Sequence, residues 1–275
     1  MSFSPSSHSL SGVEPAGAGA PLSASPDQPL IVYRGVGKYF DSRQVLHDIN
    51  LEIFPGETLV ILGRSGSGKT VLTSMLVGLL TPEEGTITVA GKDLTRFKTD
   101  EDWRELRLAT GYLFQGSALY DSMTVGENVA FPMEQQTDWT REEIERRVRE
   151  KLAQVGLEEA INLNPAELSG GMKRRAALAR SLALDPTLII YDEPTSGLDP
   201  ITGDEIGRLI RRLQQNLGVT SVVVTHDLRL TEQVADRVAL LFEGTIAFLG
   251  TFQEFRQSSN QEARRFLHRE EDAPK

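Results

Sequence analysis

The sequence predicts an α/β fold with a mainly parallel sheet and an inserted helical segment, and three observations carry that reading. Residues 58–62 are a compact apolar run ending in glycine, which suits a buried strand. A glycine-rich loop follows, then an apolar stretch over 71–80 that reads as a helix. Later, 187–191, 221–225 and 238–242 are strand candidates separated by helical stretches, the pattern of a parallel sheet. Between them, residues 116–168 break the pattern. There Ile144, Val148 and Leu152 recur at helical spacing within 141–155, and Thr140 with Glu143 reads as a capping box. Ahead of the core, 30–33 and 51–54 read as short strands, with a turn signal at Pro55-Gly56. From Asn260 the charged end of the chain reads as a helix and a frayed tail.

Length and charge narrow the function classes. A chain of 275 residues, 39% hydrophobic and 25% charged, can bury a full α/β core. The net charge of −10 argues against a nucleic-acid partner, because neutralising phosphates needs clustered Lys and Arg. The absence of cysteine excludes disulfides, thiolate catalysis and Cys-ligated metals, and suits a cytosolic protein. No apolar run approaches the roughly 18–20 residues needed to cross a bilayer. The N-terminus lacks the basic and apolar regions of a signal peptide. A soluble chain is expected, with any membrane spans supplied by another polypeptide. Residues 1–29, rich in Ser, Pro, Ala and Gly and free of Lys and Arg, read as a disordered tail. A segment that folds on a partner is the alternative there.

Gly63-Arg64-Ser65-Gly66-Ser67-Gly68-Lys69-Thr70 fits the phosphate-binding pattern G-x-x-x-x-G-K-[ST]. Its glycines let backbone N–H groups wrap phosphates, and the following helix N-terminus adds partial positive charge. Lys69 would reach the β- and γ-phosphates, and the Thr70 hydroxyl would ligate Mg²⁺. The apolar run 188–191 delivers Asp192 to a strand end, where it can hold Mg²⁺ through water. Glu193 follows and can orient the attacking water as general base. Ser169, Gly170 and Gly171 open a helix and form a second candidate anion site.

Leu168-Ser169-Gly170-Gly171-Met172 resembles the signature sequence of ABC ATPases, and the motifs from about 30 to 250 occur in that family's order. The resemblance implies a P-loop NTPase with a RecA-like α/β core, an antiparallel β region near the N-terminus and an inserted α-helical subdomain. It also implies a homodimer that sandwiches ATP, with Ser169 acting on the partner's nucleotide. By the same resemblance Gln115 touches Mg²⁺ and water and links to a membrane subunit. His226 contacts the γ-phosphate, Asp199 lies on the loop crossing the dimer interface, and Phe40 stacks on adenine. ATP rather than GTP rests on this likeness.

A narrower resemblance lies in 114–120, 124–132 and 169–180, which look like the Mla-type or toluene-tolerance-type lipid-transport ATPases that partner MCE proteins. Many importers carry glutamines after the two glycines, where this chain has Met172 and a basic pair, Lys173-Arg174. The resemblance implies a multi-pass permease, an MCE-type lipid-binding protein, and a peripheral place on the cytoplasmic face of the inner membrane. A small regulatory subunit on the helical subdomain stays open. The expected organisation is a tail over 1–29, an ATPase domain over 30–256 with its helical subdomain at about 116–182, and a C-terminal helix and tail over 257–275. Two alternatives stand beside lipid transport: an ABC ATPase for solute import or lipoprotein release, and one acting on ribosomes or DNA.

Overall fold

Apolar runs without polar interruption become strands of one sheet here because both faces of that sheet are covered. The computed structural model describes residues 21–271, with side chains as far as His268. In chain order the elements begin with β1 (Ile31–Phe40), β2 (Arg43–Ile53), β3 (Thr58–Leu62) and α1 (Lys69–Ser74), which runs into a 3-10 turn at Met75–Val77. Next come β4 (Glu84–Val89), β5 (Lys92–Asp93), α2 (Asp100–Leu108), β6 (Thr110–Leu113), α3 (Val125–Gln136) and α4 (Arg141–Val155). Then follow α5 (Gly170–Ser181), β7 (Leu188–Asp192), α6 (Pro200–Leu217), β8 (Thr220–Thr225) and α7 (Leu228–Val234). The chain ends with β9 (Arg237–Phe242), β10 (Thr245–Gly250), α8 (Phe252–Gln257) and α9 (Gln261–Glu271).

A six-stranded sheet runs β10-β9-β3-β8-β7-β6, parallel except for the antiparallel edge strand β10. A second, antiparallel sheet runs β2-β1-β4-β5. Alternate residues of the central strands serve two cores. Val60, Leu62, Ile189, Tyr191 and Val223 join the core shared with α3 to α6. Leu59, Ile61, Leu188, Ile190, Val222 and Val224 face the core beneath the antiparallel sheet. The registers Leu62↔Thr225, Asp192↔Val224 and Leu113↔Tyr191 align the carboxyl ends of four neighbouring strands. Gly63, His226, Glu193 and Phe114-Gln115 leave the sheet at that edge, where open α/β sheets place ligands.

The helix expected over 71–80 is shorter and starts earlier. It turns 3-10 at Met75 and stops at Gly78, whose φ of 73° and tight approach to Trp103 leave no room for another helical turn. Of the expected capping box at Thr140, one half forms: Thr140 accepts from the Glu143 amide, but Arg146 and Arg147 occupy the Glu143 carboxylate. The first strand extends from the expected 30–33 to Phe40 because register shifts against β2 let it bend and keep pairing.

The tail expected over 1–29 falls largely outside the described residues. Its described part is held on the body: the Leu22 amide donates to the Thr187 hydroxyl at 3.1 Å, and Leu22 and Ala24 pack against the core. At the other end, Ala263, Phe266 and Leu267 seat α9 on the core beside Phe255, and residues past 271 lie outside the described ones. No helix among the described residues is long and apolar enough to cross a membrane.

Candidate functional site

The loop 63–70 joins β3 to α1, and its last turn depends on glycine. Gly68 sits at φ 103°, and a Cβ there would lie 2.8 Å from Leu46 of β2. That close approach sets the β1–β2 hairpin beside the loop. The Lys69 ammonium is buried and folds back, donating to the carbonyls of Gly63 at 2.7 Å and Arg64 at 3.1 Å. It also lies 3.4 Å from Oε1 of Glu193. The Ser67 hydroxyl is buried in this loop with no hydrogen-bond partner among the described residues.

Thr70 donates to Oδ1 of Asp192 at 3.3 Å, which ties the loop to the end of β7. Burial pushes the Asp192 carboxyl up and the adjacent Glu193 charge adds to this, while Thr70 and Lys69 pull the other way. Glu193 leaves the strand at φ 48°, a strained conformation for a non-glycine residue, fixed by its amide donating to Val224 at 2.8 Å. Its carboxylate accepts from the Thr225 hydroxyl at 3.2 Å and meets Nδ1 of His226 at 3.0 Å. Burial alone would raise the Glu193 carboxyl, but His226 and Lys69 together outweigh it and hold it below its ordinary value.

Structure thus brings 63–70, Asp192, Glu193 and His226 into one cluster at the sheet edge. Gln115 is exposed two residues past β6, next to the strand that carries Asp192. Ser169, Gly170 and Gly171 occupy a different place, against the loop that follows Glu193. Ser169 caps α5 by accepting from the Met172 amide at 3.2 Å. A Cβ on Gly171 would lie 2.5 Å from Thr202, so glycine permits this contact. Asp199 caps α6, accepting from the amides of Ile201 and Thr202 at 3.1 Å and from the Thr202 hydroxyl at 2.6 Å. The Thr202 bonds, hydroxyl first, hold its carboxyl low. Phe40 pairs with Arg43 near the hairpin tip and is 43% exposed, with the Lys38 ammonium 5.3 Å from its ring centre.

Three residues escaped the sequence reading. Tyr112 places its hydroxyl 3.3 Å from that of Thr73 and helps pull the Asp192 carboxyl down. Thr225 orients Glu193. Arg174 joins segments far apart in the chain. The β8 run ending at 225 and the basic pair containing Arg174 were visible in the sequence, but not what these side chains touch.

The pattern that defines ABC transporters matches residues 46–196. This chain belongs to the ABC transporter family. It is 40% identical over 248 residues to the intermembrane phospholipid transport system ATP-binding protein MlaF of Haemophilus influenzae, covering 90% of this chain and 94% of that one. The probable ribonucleotide transport ATP-binding protein mkl of Mycobacterium tuberculosis is 37% identical over 270 residues, covering 98% and 74%. The methionine import ATP-binding protein MetN of Nocardia farcinica is 40% identical over 246 residues, covering 88% and 73%. Among solved structures, the dimeric post-hydrolysis ATP-binding cassette MJ0796, bound to ADP and Pi, superposes with a TM-score of 0.74 at 32% identity, covering 81% of this chain and 98% of that chain. The fold is that of an ABC ATPase cassette, and the chain is an ABC transporter ATPase subunit.

Proposed function

We propose that this ABC ATPase powers transport of phospholipid or a related lipid with an MCE-type system. The observation that carries the reading is the match to MlaF, which spans nearly the whole of both chains. The distinctive stretch 116–132, which follows Gln115, adds to it, because sequence there would report the identity of a membrane partner more than the ATP chemistry. In this reading the chain sits peripherally on the cytoplasmic face of the membrane under a multi-pass permease. Two copies close face to face, each offering Ser169, Gly170, Gly171 and Asp199 to the other's nucleotide. The MJ0796 cassette, which is dimeric, supports that arrangement.

The residues fit a Mg²⁺-bound nucleotide. The buried, unpartnered Ser67 hydroxyl and the Lys69 ammonium lie in a loop shaped for phosphate oxygens. Among the described residues no cluster of three or more His, Asp and Glu forms a metal cage. The Thr70 hydroxyl and Asp192 carboxylate are the donor set for a cation held mostly by phosphates. When bound, the cation neutralises charge on those phosphates. Lys69 would bind the β- and γ-phosphates, Gln115 would complete the cation's surroundings, and Phe40 would stack on the base. Glu193 would accept the proton of the attacking water as its oxygen bonds to the γ-phosphorus and the bond to the bridging oxygen breaks. His226 would hold that carboxylate in line and contact the γ-phosphate.

Purification from native membranes in mild detergent, with companions identified by mass spectrometry, tests the assignment. A permease with an MCE protein and bound phospholipid is expected. A permease with a solute-binding protein would retire the lipid reading in favour of solute import, which the likeness to MetN supports.

A further inference from the structure

Gln115 lies on a loop held from one helix at two points. From α5, Arg174 donates through one terminal nitrogen to the carbonyl of Phe114 at 3.0 Å, immediately before Gln115. Its other terminal nitrogen donates to the carbonyl of Ser196 at 3.3 Å, between Glu193 and Asp199. Further along the helix, Arg180 donates to the carbonyls of Ser117 at 3.1 Å and Ala118 at 2.7 Å. Ser117 and Ala118 both occupy the left-handed region, at φ 61° and 50°, so this turn needs outside support. Gln115 is therefore bracketed by two guanidinium groups from the helix that Ser169 caps.

Arg174 is an expensive way to hold a loop. It is 4% exposed, and among the described residues it forms no ion pair. Its Nε is buried without a hydrogen-bond partner. A buried charge neutralised only by carbonyl dipoles is poor at stabilising a fold. What it does provide is a rigid planar fork reaching two carbonyls at once, which neither Lys nor a neutral side chain reproduces. The adjacent Arg175, by contrast, pairs at the surface with Glu205 at 2.6 Å.

We infer that Arg174 is a positioning residue for ATP hydrolysis: it locks the Gln115 loop, the Ser169 helix and the Glu193–Asp199 loop into one unit. It acts on hydrolysis through Gln115, with the Ser196 carbonyl as the second anchor that fixes its fork, and does not touch nucleotide. The inference rests on the role proposed above for Gln115. A shift in the permease-facing loop would reach the hydrolytic edge through this side chain.

The test is a double-mutant cycle on the full chain, measuring ATP hydrolysis at concentrations that support dimer formation, with ATP-analogue affinity read separately. Arg174→Ala should lower kcat about 10–100-fold, the scale of a misplaced reacting group, while affinity stays within about threefold, since bonds to the nucleotide are unaffected. Gln115→Ala should lower kcat by itself, and adding Arg174→Ala to it should cost little more, because coupled residues are non-additive. Arg175→Ala, the surface control, should hydrolyse ATP at the wild-type rate.

Full multiplication of the two losses would make Arg174 merely structural and overturn the inference while leaving Gln115 in its role. A silent Gln115→Ala would remove that role and this inference with it. If Arg174→Ala does not fold, Arg174→Lys replaces it in the cycle. It keeps the charge and at most one arm of the fork, so kcat should still fall at unchanged affinity. A wild-type kcat in Arg174→Lys overturns the inference.

Discussion

Nδ1 of His226 lies 3.0 Å from Oε2 and 3.1 Å from Oε1 of Glu193, so one imidazole faces both oxygens of a buried acid. The two residues directly follow β7 and β8, and the register Asp192↔Val224 makes them neighbours. An acid fixed by His226, Thr225 and its own strained backbone is oriented before any substrate arrives, which is what a general base requires. Glu193→Gln preserves size and most hydrogen bonds but cannot take a proton. It should bind ATP like wild type and turn over ~10²–10⁴-fold more slowly. Steady-state hydrolysis checks this, and a rate within a few-fold of wild type would remove Glu193 from the role.

Lys69→Ala addresses binding rather than turnover. The ammonium now satisfies itself on two loop carbonyls and Glu193, contacts that phosphate oxygens would replace. A charge-assisted bond contributes about 1.5–3 kcal/mol, so affinity for a fluorescent ATP analogue should fall about 10- to 150-fold. Unchanged affinity would contradict the phosphate-binding assignment of 63–70.

Much of this was legible because the signals were local. The helix over 141–155 matches its expected bounds: Thr140 caps one end, and Gly156, at φ 67°, closes the other. The strand at 58–62 matches because burial on both faces demands an unbroken apolar run. What was hidden depended on partners distant in sequence. The four-residue β6 has no pattern of its own and exists by pairing with β7. The early stop of α1 is set by Trp103. Arg174 meets a carbonyl 60 residues away, and nothing in the sequence of 174–175 distinguishes the buried residue from the half-buried one. Motif order named the catalytic chemistry, but contacts between motifs required the fold.

Ser169→Arg tests the face-to-face arrangement. Ser169 is exposed at the start of α5, so a long cation there should crowd the partner's phosphate site and block ATP-driven dimerisation. The change also removes the cap on Met172, worth about 1 kcal/mol. Ser169→Ala removes the same cap without bulk and separates the two effects. With both placed on Glu193→Gln to trap the closed state, size-exclusion chromatography in ATP should show dimer for Ser169→Ala and monomer for Ser169→Arg. Dimer in both would exclude the sandwich through Ser169.

Helix α4 makes a prediction about acid. In the first turn of α4, Glu143 accepts from Arg146 at 2.6 and 3.0 Å and from Arg147 at 2.6 Å. These bonds, those of Arg146 first, hold its carboxyl at about 2 against an ordinary 4.5. A carboxyl depressed on folding contributes stability that is present in full above its unfolded value and disappears as pH falls through the folded one. The contribution should therefore be complete above pH 4.5 and drain away towards pH 2. Glu143→Gln has no such proton to gain, so its Tm should fall less steeply with acid across that window. Thermal unfolding at several pH values, wild type against variant, decides it. Parallel curves would mean that the paired arginines leave Glu143 as free to titrate when folded as when unfolded.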